Sequence, residues 1–455
     1  MVSILNIFGS KVVFFNGFFA EFLKTNEYQN LNLIRTISLV ILLIYKVSNR
    51  YNLTFSRIFI PVLAKHNPYH YLCSMQTKWY GEDFRLGVLG GGQLGRMLIQ
   101  EAINYNVYVY CLDPDPAAPC SHYAHGFTAG SLQDYDTVYQ FGKDKDVITV
   151  EIEHVNIEAL EQLEKEGKKV FPQPRVLRLI QDKGLQKQFY RDQRLPTAPF
   201  YLTENKEDVK KYISEFPFMM KMRKGGYDGK GVTPLRTETD IETAFEVPSV
   251  LEKMVDFQKE LAVIVARNEK GEIKSFPTVE CEFNPKANLV EFLFAPASVS
   301  EEIENKAQEL AKQVIEKLDM VGLLAVEFFL TKEEELLINE IAPRPHNSGH
   351  HTIECNITSQ FEQHMRSILN LPLGSTKIIQ AGVMINLLGE EGFEGKAVYR
   401  NLEEIMSWEG VHTHIYGKAK TKSFRKMGHI TIAGENLETV KALGLKVKET
   451  IRVES

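Results

Sequence analysis

Two glutamates, Glu327 and Glu340, stand in apolar stretches (323–330 and 336–341) on either side of a polar turn at 331–335. A hairpin centred between Glu333 and Glu334 would set the two carboxylates directly opposite each other, where like charges repel. Removing both from water without compensation is costly, and a cation is the natural remedy. Hard oxygen ligands from one or two carboxylates, completed by substrate phosphates, suit Mg²⁺, with Mn²⁺ as the alternative. Asn339 is a further candidate ligand, although ideal strand alternation turns it to the other face.

The partner chemistry lies upstream. Lys221 comes near the end of an apolar stretch at 216–223 and is followed by Gly225, Gly226, Tyr227, Asp228, Gly229, Lys230 and Gly231. Four glycines in seven residues free the backbone to fold over phosphates, while the lysine supplies a point charge. The spacing is not that of a Walker A loop. Residues 249–255, followed by Glu260, read as a nucleotide hinge. In that reading the backbone of Glu252, Lys253, Met254 and Val255 meets an adenine edge, and Glu260 accepts from ribose hydroxyls. A second glycine loop, Gly90-x-Gly92-x-x-Gly95 with Asp113 at the next strand end, has the dinucleotide-binding pattern of a dehydrogenase. Glycines at a helix N-terminus serve any phosphate or close approach, however, and the residues downstream carry phosphate and carboxylate chemistry rather than hydride transfer.

These residues need elements to hold them. Strands at 85–89, 107–112 and 146–151 alternate with helices reaching about 105 and spanning 157–166, which implies an open parallel sheet. A helix is expected from near Leu177 to about Gln193. Strands follow at 216–223, 249–252 and 261–266, then an amphipathic helix at 301–318, the hairpin, and a helix around 359–369. From about Pro372 short strands and turns alternate to the end. The fold class is α/β (α+β overall). It divides into an extension at 1–74, a parallel-sheet domain at 75–176, a second unit at 177–371, and a β-rich domain at 372–455.

Composition sets the outer bounds. Of 455 residues, 44% are hydrophobic and 25% charged, with a net charge of −6, so neither nucleic acid nor an acidic membrane is an expected partner. Anionic ligands must therefore be met by local cations. The five cysteines (Cys73, Cys111, Cys120, Cys281, Cys355) form no C-x-x-C pair, which excludes a disulfide framework or zinc site and fits a reducing cytoplasm. The first 74 residues carry only Glu21 and Glu27 against seven bases, and their apolar runs are too short to span a bilayer. Met75 is the expected translation start.

Taken in order and spacing, Lys221, the 225–231 loop, the hinge, Glu260 and the Glu327/Glu340 pair resemble the ATP-grasp superfamily. Within it the phrases G-G-G-Q-L-G-R-M (90–97), E-I-E-H-V (151–155), L-P-T-A-P (195–199), G-G-Y-D-G-K-G (225–231), I-N-E-I-A-P-R-P-H-N-S-G-H (338–350) and R-K-M-G-H (425–429) resemble the 5-(carboxyamino)imidazole ribonucleotide synthetases. The resemblance runs from about residue 84 nearly to the end. It implies an ATP-grasp fold, with the ATP-grasp domain at 177–371 and its lid at about 199–256, and the carboxylation of aminoimidazole ribonucleotide with ATP and bicarbonate through carboxyphosphate, in purine biosynthesis. It places Lys183, Gly226 and the other loop residues, Asn339 and Glu340 at ATP, with Lys221, Arg344 and His346 at the reacting centre. Gln93, Leu94, Glu151, Tyr227, Asp228, Lys418, Arg425 and Lys426 fall to the ribonucleotide, the last three at its 5′-phosphate. It further implies a homodimer and a separate mutase for the next step. Cys281 and Phe283 depart from the Asn and His of many relatives. The nearest alternative is another ATP-grasp ligase, such as a formate-dependent glycinamide ribonucleotide transformylase.

Overall fold

The structure is a computed structural model that describes residues 79–226, 231–284, 286 and 289–455. The extension at 1–74, the start at Met75, and Tyr227, Asp228, Gly229 and Lys230 lie outside the described residues.

The chain first builds a five-stranded parallel sheet. Its strands are β1 (Arg85–Leu89), β2 (Tyr108–Asp113), β3 (Gly126–Ala129), β4 (Val147–Val150) and β5 (Lys169–Val170), in the order β3-β2-β1-β4-β5. Leu86, Val88, Leu89, Val147, Ile148 and Val150 are all buried, so both faces are covered and the strands read as apolar runs rather than alternations. Helices α1 (Gln93–Asn104), α2 (Tyr135–Gly142) and α3 (Ile157–Lys165) make the crossovers. The strand order reverses between β1 and β4, and the crevice beyond their carboxyl ends is where such sheets bind ligands. The 90–95 loop leaves β1 there, and Glu151 and Glu153 follow β4.

The helix expected from Leu177 to Gln193 is two helices, α4 (Pro174–Ile180) and α5 (Lys183–Asp192). The break has a local cause. Asp182 has extended backbone (φ −121°, ψ 104°), and its side chain accepts from the N–H groups of Gly184 and Leu185, capping α5. The same carboxylate takes a bidentate contact from Arg223, with Nε and Nη2 both at 2.8 Å.

A small antiparallel sheet follows, ordered β6 (Phe200–Thr203), β9 (Ser249–Lys253), β7 (Phe218–Met222), β8 (Val232–Leu235). It has its own core of Val209, Phe218, Met220, Leu235, Ile241, Ala244 and Leu251. The large sheet takes in β10 (Phe257–Arg267), β11 (Ile273–Ser275), β12 (Val279–Asn284), β13 (Leu289–Ala295), β14 (Gly322–Thr331), β15 (Leu336–Ala342) and β16 (Ala381–Leu388). Helix α6 (Glu301–Lys317), capped by Ser300, packs Ala307, Ala311, Val314 and Ile315 against it.

The segment after Pro372 is more regular than its sequence suggests. Two short pairs, β17 (Gly395–Lys396) with β20 (Lys420–Thr421) and β18 (Val398–Arg400) with β22 (Arg452–Glu454), lie apart from the main sheet. Strands β16, β21 (Lys426–Gly434) and β19 (Val411–Ile415) instead continue that sheet in the order β13-β16-β21-β19. Helix α7 (Gln360–Ile368) precedes them, and α8 (Leu437–Thr450), absent from the sequence reading, packs on β16. Gly444 weakens the helical signal of α8. It is there because a Cβ at that position would sit 3.0 Å from Val383 Cγ1. Among the described residues no helix is long and apolar enough to cross a membrane.

Asp182→Ala removes the cap of α5 and the partner of Arg223 together. Loss of a cap alone costs about 1 kcal/mol, and each ~1 kcal/mol moves the melting temperature of a large domain by ~2–4 °C. A thermal melt should therefore fall by several degrees, with Asp182→Asn recovering part of the loss.

Candidate functional site

Hairpin β14–β15 turns tighter than the sequence reading placed it. Leu330 pairs with Leu336, the Thr331 N–H donates to the Glu335 carbonyl at 2.9 Å, and Glu334 adopts a left-handed conformation (φ 63°), so the tip of the loop is centred on Glu333. The register then shifts between Val326 and Phe328: Phe328 pairs with Ile338, yet Val326 pairs with Ile341. A bulge thus sets Asn339 and Glu340 together against Glu327. Two expectations are corrected by this one feature. Glu327 does not face Glu340 in simple one-to-one pairing, and Asn339 is not turned away, because it lines the same pocket as Glu340.

That pocket is lined by Lys183, Gln186, Lys187, Lys221, Val250, Glu252, Asn339 and Glu340. Lys183, the first residue of α5, reaches Glu340 Oε2 at 2.9 Å. Lys221, on β7, donates to Asn339 Oδ1 and also contacts Glu252 Oε2, both at 3.0 Å. Lys187 completes the group, 2.9 Å from Glu252 Oε1 and 2.7 Å from Thr197 Oγ1. Burial works to raise the Glu252 carboxyl, but Lys221 and Lys187 outweigh it and hold it below its ordinary value. Burial brings Lys187 down to about 8 against the pull of Glu252. Lys187 was missed in the sequence, although it stands four residues after Lys183 on one face of α5.

The two hairpin carboxylates are driven apart in affinity for protons. Lys183 holds the Glu340 carboxyl well below its ordinary value, whereas burial, then Glu340 and Glu260, raise that of Glu327. A buried acid in that condition, beside an ionised one and an amide oxygen, is a donor set that fits a hard divalent cation. Glu260, on β10 opposite Cys281 of β12, is raised by burial to about 7 despite Lys221.

The hinge residues run off the end of β9, which holds Glu252 and Lys253. The N–H groups of Lys253 and Met254 donate to the carbonyls of Pro199 and Pro217. The Lys253 ammonium lies 4.4 Å from the centre of the Phe218 ring, on the small sheet's own core. Val255 is partly exposed beyond them. The 225–231 loop is anchored at its feet. Gly225 and Gly231 have φ of +80° and +76°, and a Cβ on Gly231 would approach Gly226 Cα to 3.1 Å. Both conformations favour glycine.

The next strand end carries the other half. Arg344 clasps Glu153 through Nε and Nη2, at 2.5 and 3.2 Å. His346 Nδ1 accepts from the Ser348 N–H at 3.4 Å, which leaves the proton on Nε2, 3.7 Å from Glu327 Oε1. Burial, with Arg344 and Lys426 nearby, lowers this histidine to about 3, so the ring is neutral at physiological pH. The fully buried Gln360 fixes the backbone of His346 by accepting from its N–H (2.8 Å) and donating to its carbonyl (2.7 Å).

Across the crevice, Glu151 fills the first glycine loop. Its Oε1 accepts from the N–H of Leu94 at 3.1 Å, in the first turn of α1 beside Gln93, where no side chain of the loop caps the helix. A Cβ at Gly90 or Gly92 would lie 2.5 or 2.4 Å from the Glu151 carboxylate oxygens. The glycines therefore admit a glutamate. Asp113, which in the dehydrogenase reading would hold a ribose, accepts from the N–H groups of Gly91 (2.7 Å) and Asp115 (2.8 Å) and braces the loop. Burial raises the Glu151 carboxyl, against the opposing pull of Arg344.

The three C-terminal cations have different surroundings. Lys426 is close enough to Glu327 and His346 to influence both. Lys418 Nζ donates to the Lys426 carbonyl at 2.7 Å, and Arg425 Nη1 donates to the Lys420 carbonyl at 2.7 Å in a more exposed setting.

Three family domains tile the chain: "Ribonucleotide synthetase preATP-grasp domain" over residues 84–181, "ATP-grasp domain" over 188–361, and "Phosphoribosylaminoimidazole carboxylase C-terminal domain" over 382–443. The N5-carboxyaminoimidazole ribonucleotide synthase of Bacillus subtilis is 38% identical over 354 residues, covering 76% of this chain and 90% of the relative. The chain belongs to the N5-carboxyaminoimidazole ribonucleotide synthase family. Another relative, the chloroplastic phosphoribosylaminoimidazole carboxylase of Vigna aconitifolia, is 39% identical over 368 residues, which are 78% of this chain. The match spans only 65% of that longer relative. The crystal structure of the synthetase from Thermotoga maritima superposes with a TM-score of 0.76 at 42% identity, covering 82% of this chain and 99% of that one. Family membership and the brace formed by Asp113 together remove the dehydrogenase reading.

Glu340→Gln keeps the shape of the hairpin and deletes the charge that Lys183 answers. Turnover should fall by about a hundredfold or more with the melting temperature nearly unchanged, as measured by ADP release and a thermal melt.

Proposed function

We infer that the protein uses ATP to carboxylate 5-aminoimidazole ribonucleotide, giving N5-carboxyaminoimidazole ribonucleotide, ADP and phosphate in purine biosynthesis. The observation that carries this reading is the meeting of two half-sites on Arg344. Its partner Glu153 belongs to the crevice of the parallel sheet, while two residues on His346 faces the Glu327/Glu340 hairpin.

In this reading ATP lies in the pocket between α5, β7, β9 and the hairpin. Lys183, Lys221 and Lys187 with its partner Glu252 surround the phosphates, the hinge at Glu252–Val255 meets the purine, and Glu260 accepts from the ribose. The family resemblance assigns Gly226, Tyr227, Asp228, Gly229, Lys230 and Gly231 to ATP as well. Glu327, Glu340 and Asn339 would hold Mg²⁺, which offsets phosphate charge when bound. Bicarbonate is the carboxyl source. Arg344 offers planar, charge-assisted donors to an anionic carboxyl group. The neutral His346 offers Nε2–H and adds no charge of its own.

The ribonucleotide lies over the first glycine loop, with Gln93, Leu94 and Glu151 at its base and Lys418 and Arg425 at its 5′-phosphate. Lys426 stands nearer the reacting centre than those two, and its contribution falls on the chemistry as well as on binding. A separate mutase acting on the product, a homodimeric assembly and a cytoplasmic setting belong to the same proposal.

The test is ADP release by the purified protein with and without bicarbonate and 5-aminoimidazole ribonucleotide. Full turnover should need both, and formate with glycinamide ribonucleotide should not substitute. Turnover with formate instead would turn the assignment toward the transformylase.

Arg425→Ala should raise the KM for the ribonucleotide by about tenfold, the scale of one lost charge-assisted contact. The KM for ATP should stay constant, and discrimination against the unphosphorylated riboside should shrink. Lys426→Ala should lower kcat as well, and steady-state kinetics separate the two.

A further inference from the structure

Glu153 lies three residues beyond the end of β4, and Arg344 lies just beyond β15, 191 positions later in the chain. Their contact joins the parallel sheet to the large antiparallel one. Both Glu153 oxygens are used, by Nε and by Nη2 of the same guanidinium, while Nη1 donates to the Pro345 carbonyl at 3.1 Å. A bidentate contact through Nε fixes the plane of the guanidinium as well as its position, which a single hydrogen bond to a freely rotating group does not. The side chains are 17% and 31% exposed, so the pair is largely sheltered from water and ions. Burial works to raise the Glu153 carboxyl and Glu340 adds to that, but Arg344 holds it below its ordinary value and it stays ionised.

Two carboxylates of the parallel-sheet crevice bear on Arg344. Glu151 feels its charge, but among the described residues Glu153 makes the two-oxygen clasp. Removing that clasp removes its hold on the plane of the guanidinium and leaves the pull of Glu151, in the ribonucleotide half, unopposed by it.

We propose that Glu153 is a positioning residue for the reaction: it holds the plane of Arg344 so that the guanidinium receives bicarbonate between the phosphate-transfer centre and the amine acceptor. This rests on the proposed carboxylation. A misaligned arginine should bind bicarbonate poorly and should let the activated carboxyl be lost to water before the amine takes it up. The charge of Glu153 would then control both bicarbonate affinity and the yield of product per ATP.

The experiment compares the full chain with Glu153→Gln, Arg344→Ala and the double variant. The readouts are KM for bicarbonate, KM for ATP, and the ratio of ADP released to carboxylated product formed. Glu153→Gln keeps the size of the side chain and one accepting oxygen. It should raise the KM for bicarbonate about tenfold and lift the ADP-to-product ratio above that of the parent, with the KM for ATP within about twofold. If Glu153 acts through Arg344, adding Glu153→Gln to Arg344→Ala should change neither bicarbonate affinity nor coupling further, because neighbours in one network are not additive. Glu153→Asp, which restores the charge on a shorter arm, should recover part of the coupling. A Glu153→Gln protein with unchanged bicarbonate affinity and coupling overturns the inference while leaving the carboxylation intact, and so do effects that multiply fully in the double variant. If the parent protein shows no bicarbonate-dependent turnover, the carboxylation reading and this inference fall together.

Discussion

Carboxylates crowded into a sheltered space need cations, and this requirement organises the molecule around its centre. Glu252 lies between Lys187 and Lys221, Glu340 meets Lys183, and Glu153 meets Arg344. Burying an ion is expensive, and mutual attraction offsets the cost only where geometry is good and the remaining lone pairs are satisfied. The cations therefore come from rigid places: the capped first turn and a half of α5, the end of β7, and the short loop after β15. Glu327 differs: burial first, then Glu340 and Glu260, raises its affinity for a proton, which makes it a favourable place for added positive charge.

The same requirement explains how the lid and the nucleotide pocket are joined. Arg223 follows β7, at the root of the 225–231 loop, and its guanidinium is clasped by Asp182, which also caps the helix bearing Lys183 and Lys187. The Lys183 N–H donates in turn to the Arg223 carbonyl at 2.9 Å. The loop's root and the lysine helix are thereby joined, with Lys221 on one side of the joint and Lys183 and Lys187 on the other.

Much of this was legible in the residues. Apolar runs, glycine loops and the hairpin are local patterns, and the strands carrying Lys221, Glu327 and Glu340 formed where the apolar runs placed them, while β10 starts earlier than expected and takes in Glu260, and β4 ends just before Glu151. What escaped is what depends on distant partners. The bulge at Asn339–Glu340 leaves no mark in an alternating apolar strand, so the hairpin register came out one residue too wide at its turn. The break at Asp182 was hidden because an aspartate inside a helical pattern becomes a cap only when the backbone turns. Glu153 looked like the second acid of a strand end, and its meaning came from an arginine 191 residues away. Lys187 was within reach of sequence reasoning, since two lysines one helical turn apart on a face that must bury apolar residues call for an acidic partner. Helix α8 was obscured by Gly444, whose absent side chain is a condition of its close packing on β16.

The C-terminal strands belong to the ladder that carries the β14–β15 hairpin. Strand β16 pairs with β13 along Phe292–Ala295, opposite Ile385–Gly382, and β21 with β16 over most of its length. A chain ending before β16 would leave β13 as a bare edge, with apolar side chains and a row of unpaired backbone groups, the kind of surface on which strands from other molecules add. The last eighty-odd residues (about a fifth of the described chain) thus protect the sheet from self-association while they carry Lys418, Arg425 and Lys426. Exchanging this segment between relatives would succeed only where the seam at β13 keeps its register, because a slip of one position would turn Lys426 and its neighbours to the opposite face.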